Sequence, residues 1–166
     1  MSHINKTLLC ACFVALSMIL GYVEHLIPAF IPIYGLKIGF SNFPVIYALF
    51  ELSPRHALAI GVLKAFLNGM LFSGLMSSFY SVTGVVFAVF GMWILCIIFK
   101  KIFSEIGISV FGSWMFQIGQ VLTASILLKS YAPFYYLPYL LIGSIIYGIF
   151  SGIIIKNLRK KVQFVR

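Results

Sequence analysis

The sequence predicts an all-α membrane protein, and three observations lead to this fold class. Of its 166 residues, 62% are hydrophobic and 9% are charged, and the mean hydropathy is +1.10. So few charged residues cannot cover the surface of a soluble globular domain. The apolar residues also form long runs separated by Pro, Gly, Ser and charged residues, as transmembrane helices require. We therefore expect a single membrane domain over residues 1–166.

Breaking the chain at these separating residues gives six apolar segments. Crossing the hydrocarbon core takes a helix of about 20 residues, so the second segment, of about a dozen, is the weakest candidate. The alternative is that the chain has five spans and that this second segment is partly re-entrant. The first segment is long enough to span and lacks a small-residue cleavage site, so we expect a retained helix and not a signal peptide. The segments are approximately 8–26, 41–52, 56–74, 79–99, 106–128 and 136–155.

The loop charges favour six spans with both termini in the cytoplasm, because Lys and Arg accumulate in cytoplasmic loops. A five-span chain would put one basic terminus on the wrong side. We interpret the basic tail 156–166 as a stop-transfer cluster, with binding of anionic lipid or nucleic acid as the alternative. With the N-terminus inside, the cytoplasmic cations are Lys6, Arg55, Lys100, Lys101, Lys156, Arg159, Lys160, Lys161 and Arg166, with Lys37 and Lys129 outside and Lys64 in the membrane.

Lys64 is the most informative polar residue. It lies about eight residues, and so about 12 Å, from the polar end of the third segment at Arg55 and His56. A cation at that depth costs at least about 2.5–3.5 kcal/mol, so it should face protein or a water-filled cavity. Two interpretations stay open, a contact for an anionic ligand group and a structural ion pair with Glu24.

Further polar residues lie inside the apolar segments. Asn68 follows Lys64 by four residues and so shares its helix face. In the fifth segment, Gln117 and Gln120 are three residues apart. Amides in hydrocarbon need hydrogen-bond partners, so these side chains should point into the protein. They either tie helices together or bind a ligand.

Two pairs of small residues lie four apart, each on one helix face. Such a face lets another helix approach closely. Ala11 and Ala15 form one in the first segment, and Gly148 and Gly152 form one in the last. For the glycine pair, packing within the bundle is the simplest interpretation.

The motifs of several enzyme classes are absent from the sequence. No Gly-rich loop ends in Gly-Lys-Ser or Gly-Lys-Thr, so the chain cannot bind ATP in the P-loop manner. Asp is absent, which excludes the Asp-rich clusters that hold magnesium and diphosphate. His3, His25 and His56 are far apart in sequence, and a single axial haem ligand at His25 is the one alternative to an absent metal site. We expect no catalytic residue, metal or resident cofactor.

Taken together, several short motifs match those of one transporter family. With them the chain resembles the substrate-binding S component of an energy-coupling-factor (ECF) vitamin transporter, over about residues 11–155. More narrowly, it is similar to the Gx transporter family, which is also labelled component I of heptaprenyl diphosphate synthase. The motifs are Ala11 with Ala15, Glu24 to Pro28, Gly35-Leu36-Lys37-Ile38-Gly39 with Asn42, the cationic third segment at Lys64, and Gln117-Ile118-Gly119-Gln120.

The chain departs from this family pattern at two positions. Tyr34 precedes Gly35 where proline is usual, and Lys64 stands where arginine is common. Lysine keeps the charge but lacks the bidentate fork of a guanidinium group. This difference affects which head group the site would recognise.

The resemblance implies a six-helix bundle in the bacterial plasma membrane that captures a small molecule from outside. It implies that the 28–42 loop covers the ligand, and that Ala11 and Ala15 dock on a transmembrane T component with two ATPases. The loaded subunit would then tip in the membrane and release its ligand inside. The implied substrate-binding residues are Glu24, Lys37, Asn42, Lys64, Asn68, Gln117 and Gln120.

The two cations on this route, Lys37 and Lys64, favour a small, partly apolar ligand with an anionic end. A carboxylated quinone precursor, an isoprenoid or other vitamin-like molecule, and a haem are the candidates. A membrane scaffold of isoprenoid or quinone biosynthesis, with its basic tail docking a soluble enzyme, is the alternative function. An intramembrane enzyme acting on lipid is disfavoured, because no acid–base pair has a catalytic spacing.

Overall fold

The structure, a computed structural model, describes residues 3–26, 39–99 and 103–165, and these form a helical bundle. A 3-10 turn, Phe40–Asn42, precedes the second helix, and a π-helical turn, Gly69–Ser73, follows the third. The predicted all-α fold class is confirmed for the described residues. The helices are α1 His3–Leu26, α2 Phe43–Glu51, α3 Pro54–Asn68, α4 Leu75–Ile98, α5 Glu105–Leu128 and α6 Ala132–Val165.

Five of the described helices are long and apolar enough to cross a membrane, and α2 is not. At 9 residues, α2 is about 14 Å long, roughly half the thickness of the hydrocarbon core. Most of its side chains are buried against the other helices, so it lies within the protein. Five of the six predicted spans are therefore long enough to cross a membrane. The sixth, α2, corresponds to the segment that was the weakest candidate in the sequence.

Side-chain contacts fix which helix ends lie together. The rings of Tyr22 on α1 and Phe72, just after α3, have centroids 5.2 Å apart, so α1 and α3 end on the same side of the bundle. At the other side, Arg159 of α6 pairs with Glu51 at 3.0 Å and with Glu105 at 2.9 Å. These pairs bring the end of α2, the start of α5 and the last turns of α6 together. The cytoplasmic location of both termini stays a prediction.

Local sequence signals set the helix boundaries. Ser53 precedes α3, where its hydroxyl accepts a hydrogen bond from the backbone of His56, and Pro54 occupies the first helical position. Ser104 caps α5 in the same way through the backbone of Gly107. Lys129 ends α5 in the left-handed conformation, with a φ of 47°. These caps explain why the predicted limits of α5 agree closely with the observed ones.

The last helix extends beyond its predicted limit at residue 155. It continues to Val165, so Lys156, Arg159, Lys160 and Lys161 lie on a helix. The sequence after Gly152 contains neither Gly nor Pro, and its Leu, Lys and Arg residues favour helix. The helical extension is what carries Arg159 to Glu51 and Glu105.

Glycines bring neighbouring helices into close contact. A Cβ atom on Gly119 of α5 would lie 2.9 Å from the Cα atom of Gly84 on α4. On α6, a Cβ on Gly148 would lie 2.6 Å from the Cα atom of Val110, and one on Gly152 would lie 2.6 Å from that of Ile106. The α5–α6 contact therefore uses both glycines of the predicted small-residue face, which confirms its role in bundle packing.

We expect Gly148→Ala to destabilise the protein by about 1–3 kcal/mol, because the added methyl overlaps the backbone of α5. Gly143→Ala on the same helix is the matched control, since its methyl would meet nothing within 4 Å. There the better helix propensity of alanine should leave stability unchanged or raise it by up to about 1 kcal/mol. Thermal unfolding in detergent compares the two variants, and equal midpoints would contradict the close helix contact.

Candidate functional site

One buried stripe runs along α1. Val14, Ser17, Gly21 and Glu24 are all buried, at spacings of three, four and three residues. That spacing places them on a single helix face, which turns toward the bundle. The stripe ends at Glu24, so the only acid of α1 is carried into the protein near the end of the helix.

The carboxylate of Glu24 binds the backbone at Gly39. The Gly39 N–H donates a hydrogen bond of 2.5 Å to Glu24 Oε1, and the Glu24 side chain is 8% exposed. Gly39 has a φ of 104°, which only glycine adopts readily. A Cβ at this position would also lie 2.8 Å from the amide of Asn42 and 3.3 Å from the ring of Phe116. Glycine thus allows Glu24, Asn42 and Phe116 to meet around one peptide.

The ammonium group of Lys64 is held by the next residues of the same turn. Nζ donates to Ser41 Oγ at 2.8 Å and to Asn42 Oδ1 at 2.7 Å, and the side chain is 1% exposed. It also lies 5.9 Å from the centroid of the Phe116 ring, within the range of a cation–π contact. We call Glu24, Gly39, Ser41, Asn42, Lys64 and Phe116 the Lys64 site.

Glu24 and Lys64 share this site without forming a direct ion pair. Among the described residues, Glu24 forms no ion pair, and Arg159 is the partner of Glu51 and Glu105. Glu24 and Lys64 are instead joined through the 39–42 turn, which donates to the carboxylate and accepts from the ammonium. The structure therefore does not support the structural Glu24–Lys64 pair, and both residues bond to the same turn.

Two acceptor atoms near this turn have no hydrogen-bond partner among the described residues. They are Oε2 of Glu24 and Oδ1 of Asn68. Asn68 is 4% exposed, and its amide nitrogen would lie 2.1 Å from a Cβ added to Gly21. Because Gly21 and Glu24 are three apart on the stripe of α1, Asn68 packs against the same face that carries Glu24. A buried acceptor without a donor is costly, so both atoms require a donor that the described residues do not supply.

The remaining predicted binding residues have different outcomes. Gln117 and Gln120 are fully buried on α5, as expected, and Phe116 of the same helix lies at the Lys64 site. Lys37 lies outside the described residues, as does most of the predicted 28–42 loop. Of that loop, the structure describes residues 39–42, where Gly39 donates to Glu24, and Ser41 and Asn42 accept from Lys64.

A small cavity lies beside Asn42 and Phe116 and is lined by residues of α2, α4, α5 and α6. Its volume is about 10 Å³, close to the least that holds one water molecule. Its polar lining residues are Asn42, Ser113 and Tyr147, and the rest of the lining is apolar or glycine. Pockets for small molecules usually measure about 300–1,000 Å³, so this cavity is not the ligand site.

Three residues of this region were not predicted from the sequence, and Gly39 was named only as part of a family motif. Ser41 could have been found, because it directly precedes Asn42 at the polar start of an apolar segment. Gly21 is one of 14 glycines, and Phe116 is one of 17 phenylalanines. Nothing local distinguishes these two residues, since their role depends on which helices meet.

Comparison with known proteins adds a family to this geometry. A family model described as heptaprenyl diphosphate synthase component I matches residues 13–158. The chain belongs to this family. The narrower of the two resemblances noted in the sequence is therefore confirmed. The match runs from the middle of α1 into the last turns of α6 and includes every described residue of the Lys64 site.

The fold of this chain is similar to that of a solved S component of a bacterial ECF transporter. That chain is 21% identical, the similarity covers 99% of each chain, and the TM-score is 0.59. This heptaprenyl diphosphate synthase component I family member therefore has the fold of an ECF S component. No curated protein matches the sequence.

Proposed function

We propose that the protein is the substrate-capturing S component of an ECF-type importer in the bacterial plasma membrane. One observation carries this proposal. A lysine ammonium, 1% exposed, is held by a turn in the interior of an apolar bundle that has the S-component fold. Buried cations are expensive in membrane proteins and mark ligand routes more often than packing.

The position of the site agrees with ligand capture from one face. Lys64 lies ten residues after Pro54, so it is about 15 Å along α3, near half the thickness of the hydrocarbon core. Glu24 lies near the end of α1 and Asn42 immediately before α2. In this proposal the ligand enters where these two helix ends meet, and the 28–42 loop closes over it. The short α2 supports the site because it begins within the bundle, at the turn that holds Lys64.

The ligand that fits is small and partly apolar, with an anionic group near Lys64. The ammonium supplies the charge, and the ring of Phe116 beside it supplies an apolar wall. Lys37 is proposed as a second cation on the entry route. A vitamin-like or cofactor-like molecule, such as a carboxylated quinone precursor, has this combination of groups.

We further propose that α1 docks on a T component that associates with two ATPases. Ala11 and Ala15 are both exposed, and they lie away from the buried stripe that contains Val14 and Ser17. Their small side chains leave a shallow strip along the outside of α1, against which another membrane helix can pack closely. ATP hydrolysis by the partners would tip the loaded subunit and release the ligand inside.

A second candidate function follows from the description of the family, which names a heptaprenyl diphosphate synthase component. In that case the protein would be a membrane scaffold, and the basic end of α6 would hold a soluble enzyme. The chain contains no Asp, so it would not itself bind diphosphate through an Asp-rich magnesium site.

Mass spectrometry of small molecules retained by the purified full chain tests the first candidate. We expect one small anionic compound in an amount close to one per chain, released when the protein is denatured. An unrelated membrane protein purified in the same detergent is the control. Recovery of a soluble prenyl synthase without any retained small molecule would contradict the transporter proposal and favour the scaffold.

A further inference from the structure

The Lys64 site contains a carboxylate as well as a cation, and this restricts the ligand further. Glu24 is 8% exposed, and one of its two oxygens accepts from Gly39 while Oε2 accepts from no described residue. A buried carboxylate oxygen is strongly disfavoured without a donor, because its lost hydration is not replaced. Among the described residues, Glu24 Oε2 therefore lacks a hydrogen-bond donor.

The charges of the two residues also constrain the ligand. Glu24 and Lys64 both bond to the four-residue turn 39–42, and both are buried among apolar helices where electrostatic interactions are weakly screened. Together the carboxylate and the ammonium sum to zero. A purely anionic ligand would be attracted by Lys64 but repelled by Glu24. A purely cationic ligand would be attracted by Glu24 but repelled by Lys64.

The neighbouring amide gives independent support. Asn68 Oδ1 is also buried without a partner among the described residues, and Asn68 packs against the face of α1 that carries Glu24. Two unmet acceptors thus occur near the end of α1, whereas the ammonium donor of Lys64 points at the turn. The acceptors near the end of α1 therefore require donor groups, whereas the ammonium group of Lys64 is itself a donor.

We propose that the ligand is dipolar, with an anionic group toward Lys64 and an N–H or O–H donor group, such as an amine or a ring N–H, toward Glu24. This inference rests on the proposed transport function and narrows its substrate class. Simple carboxylates, unfunctionalised isoprenoid phosphates and other ligands without a separate donor are excluded by it. Glu24 Oε2 accepts the main hydrogen bond, and Asn68 Oδ1 accepts a second one from the same end of the ligand.

The test counts donors on the compound that the wild-type chain retains. Mass spectrometry in negative-ion mode, in H₂O and then in D₂O, counts exchangeable hydrogens. We expect at least one beyond those of the anionic group itself. A compound with none would overturn the dipolar ligand while leaving the transport function in place, whereas no retained compound would overturn both.

A variant pair tests the assignment to Glu24. Glu24→Gln keeps an acceptor for the Gly39 N–H but removes the charge, and it should lower the retained amount of this compound about 10-fold to 100-fold at limiting concentration. Glu105→Gln removes another carboxylate at the opposite end of the bundle and should retain the compound as the wild type does. Wild-type retention by Glu24→Gln would overturn the assignment. If Glu24→Gln fails to fold, the donor count on the wild-type compound still decides the proposal.

Discussion

Lys64→Met should abolish most ligand retention while the protein still folds. Methionine has a similar length, so it fills the space of the lysine stem without the ammonium. Loss of one charge-assisted contact to an anionic group corresponds to about 10-fold to 100-fold weaker binding. The compound retained per purified chain, measured by mass spectrometry, should fall by that factor.

The energetics of the site explain why folding should survive this change. Ser41 and Asn42 would each lose a donor, at about 1–3 kcal/mol for a group left unsatisfied. Removing a cation from mid-membrane depth should stabilise the folded protein by at least about 2.5–3.5 kcal/mol. The two effects largely cancel, so the thermal midpoint in detergent should move by a few degrees at most.

Lys160→Met is the matched control, because Lys160 is an exposed lysine near the end of α6. It should retain the wild-type amount of compound. If Lys64→Met unfolds the protein and the additional change Glu24→Gln does not restore folding, Lys64 has a structural role. The proposed ligand site then loses its main support.

Ala15→Trp should eliminate recovery of the T component and its ATPases with the chain. An indole on the exposed face of α1 would hold a partner helix several ångströms away from the strip formed by Ala11 and Ala15. Helix association in membranes depends on close van der Waals contact, so this separation should remove most of the binding energy. Affinity purification of the tagged chain from cells that co-express the partners measures the effect.

Ile146→Trp provides the control for bulk on a lipid-facing surface. Ile146 is 69% exposed on α6, so its replacement adds the same ring to a different face. It should leave co-purification unchanged. Both variants should bind the small compound as the wild type does, since neither position contacts the Lys64 site. Recovery of the ATPases with Ala15→Trp would show that docking uses another surface.

Much of the fold follows from sequence because long apolar runs in a membrane have few alternatives. Without water, backbone groups must bond within each segment, so a run of about 20 apolar residues forms a helix. This explains the close prediction of α5, which also begins at a Ser cap. The limit of α6 was wrong because the prediction followed hydropathy, whereas the helix continues through basic residues that favour helix themselves.

The candidate site was predictable only in part. Glu24, Asn42 and Lys64 could be identified because a polar side chain in an apolar run needs a partner or a ligand. Their arrangement could not be identified in the same way. The ion pair between Glu24 and Lys64 was a reasonable expectation from charge alone, yet the turn at Gly39 to Asn42 lies between them and bonds to each.

By itself, the sequence determined that this protein is a helical membrane protein with a costly cation at mid-depth, because composition and the free energy of burial depend on residue type alone. The tertiary structure decided what surrounds that cation. Glycine at 39, with its positive φ, lets one peptide join α1 to the turn before α2, and Phe116 reaches the same point from α5. Such contacts depend on how separate helices pack, and no local pattern in the chain specifies them.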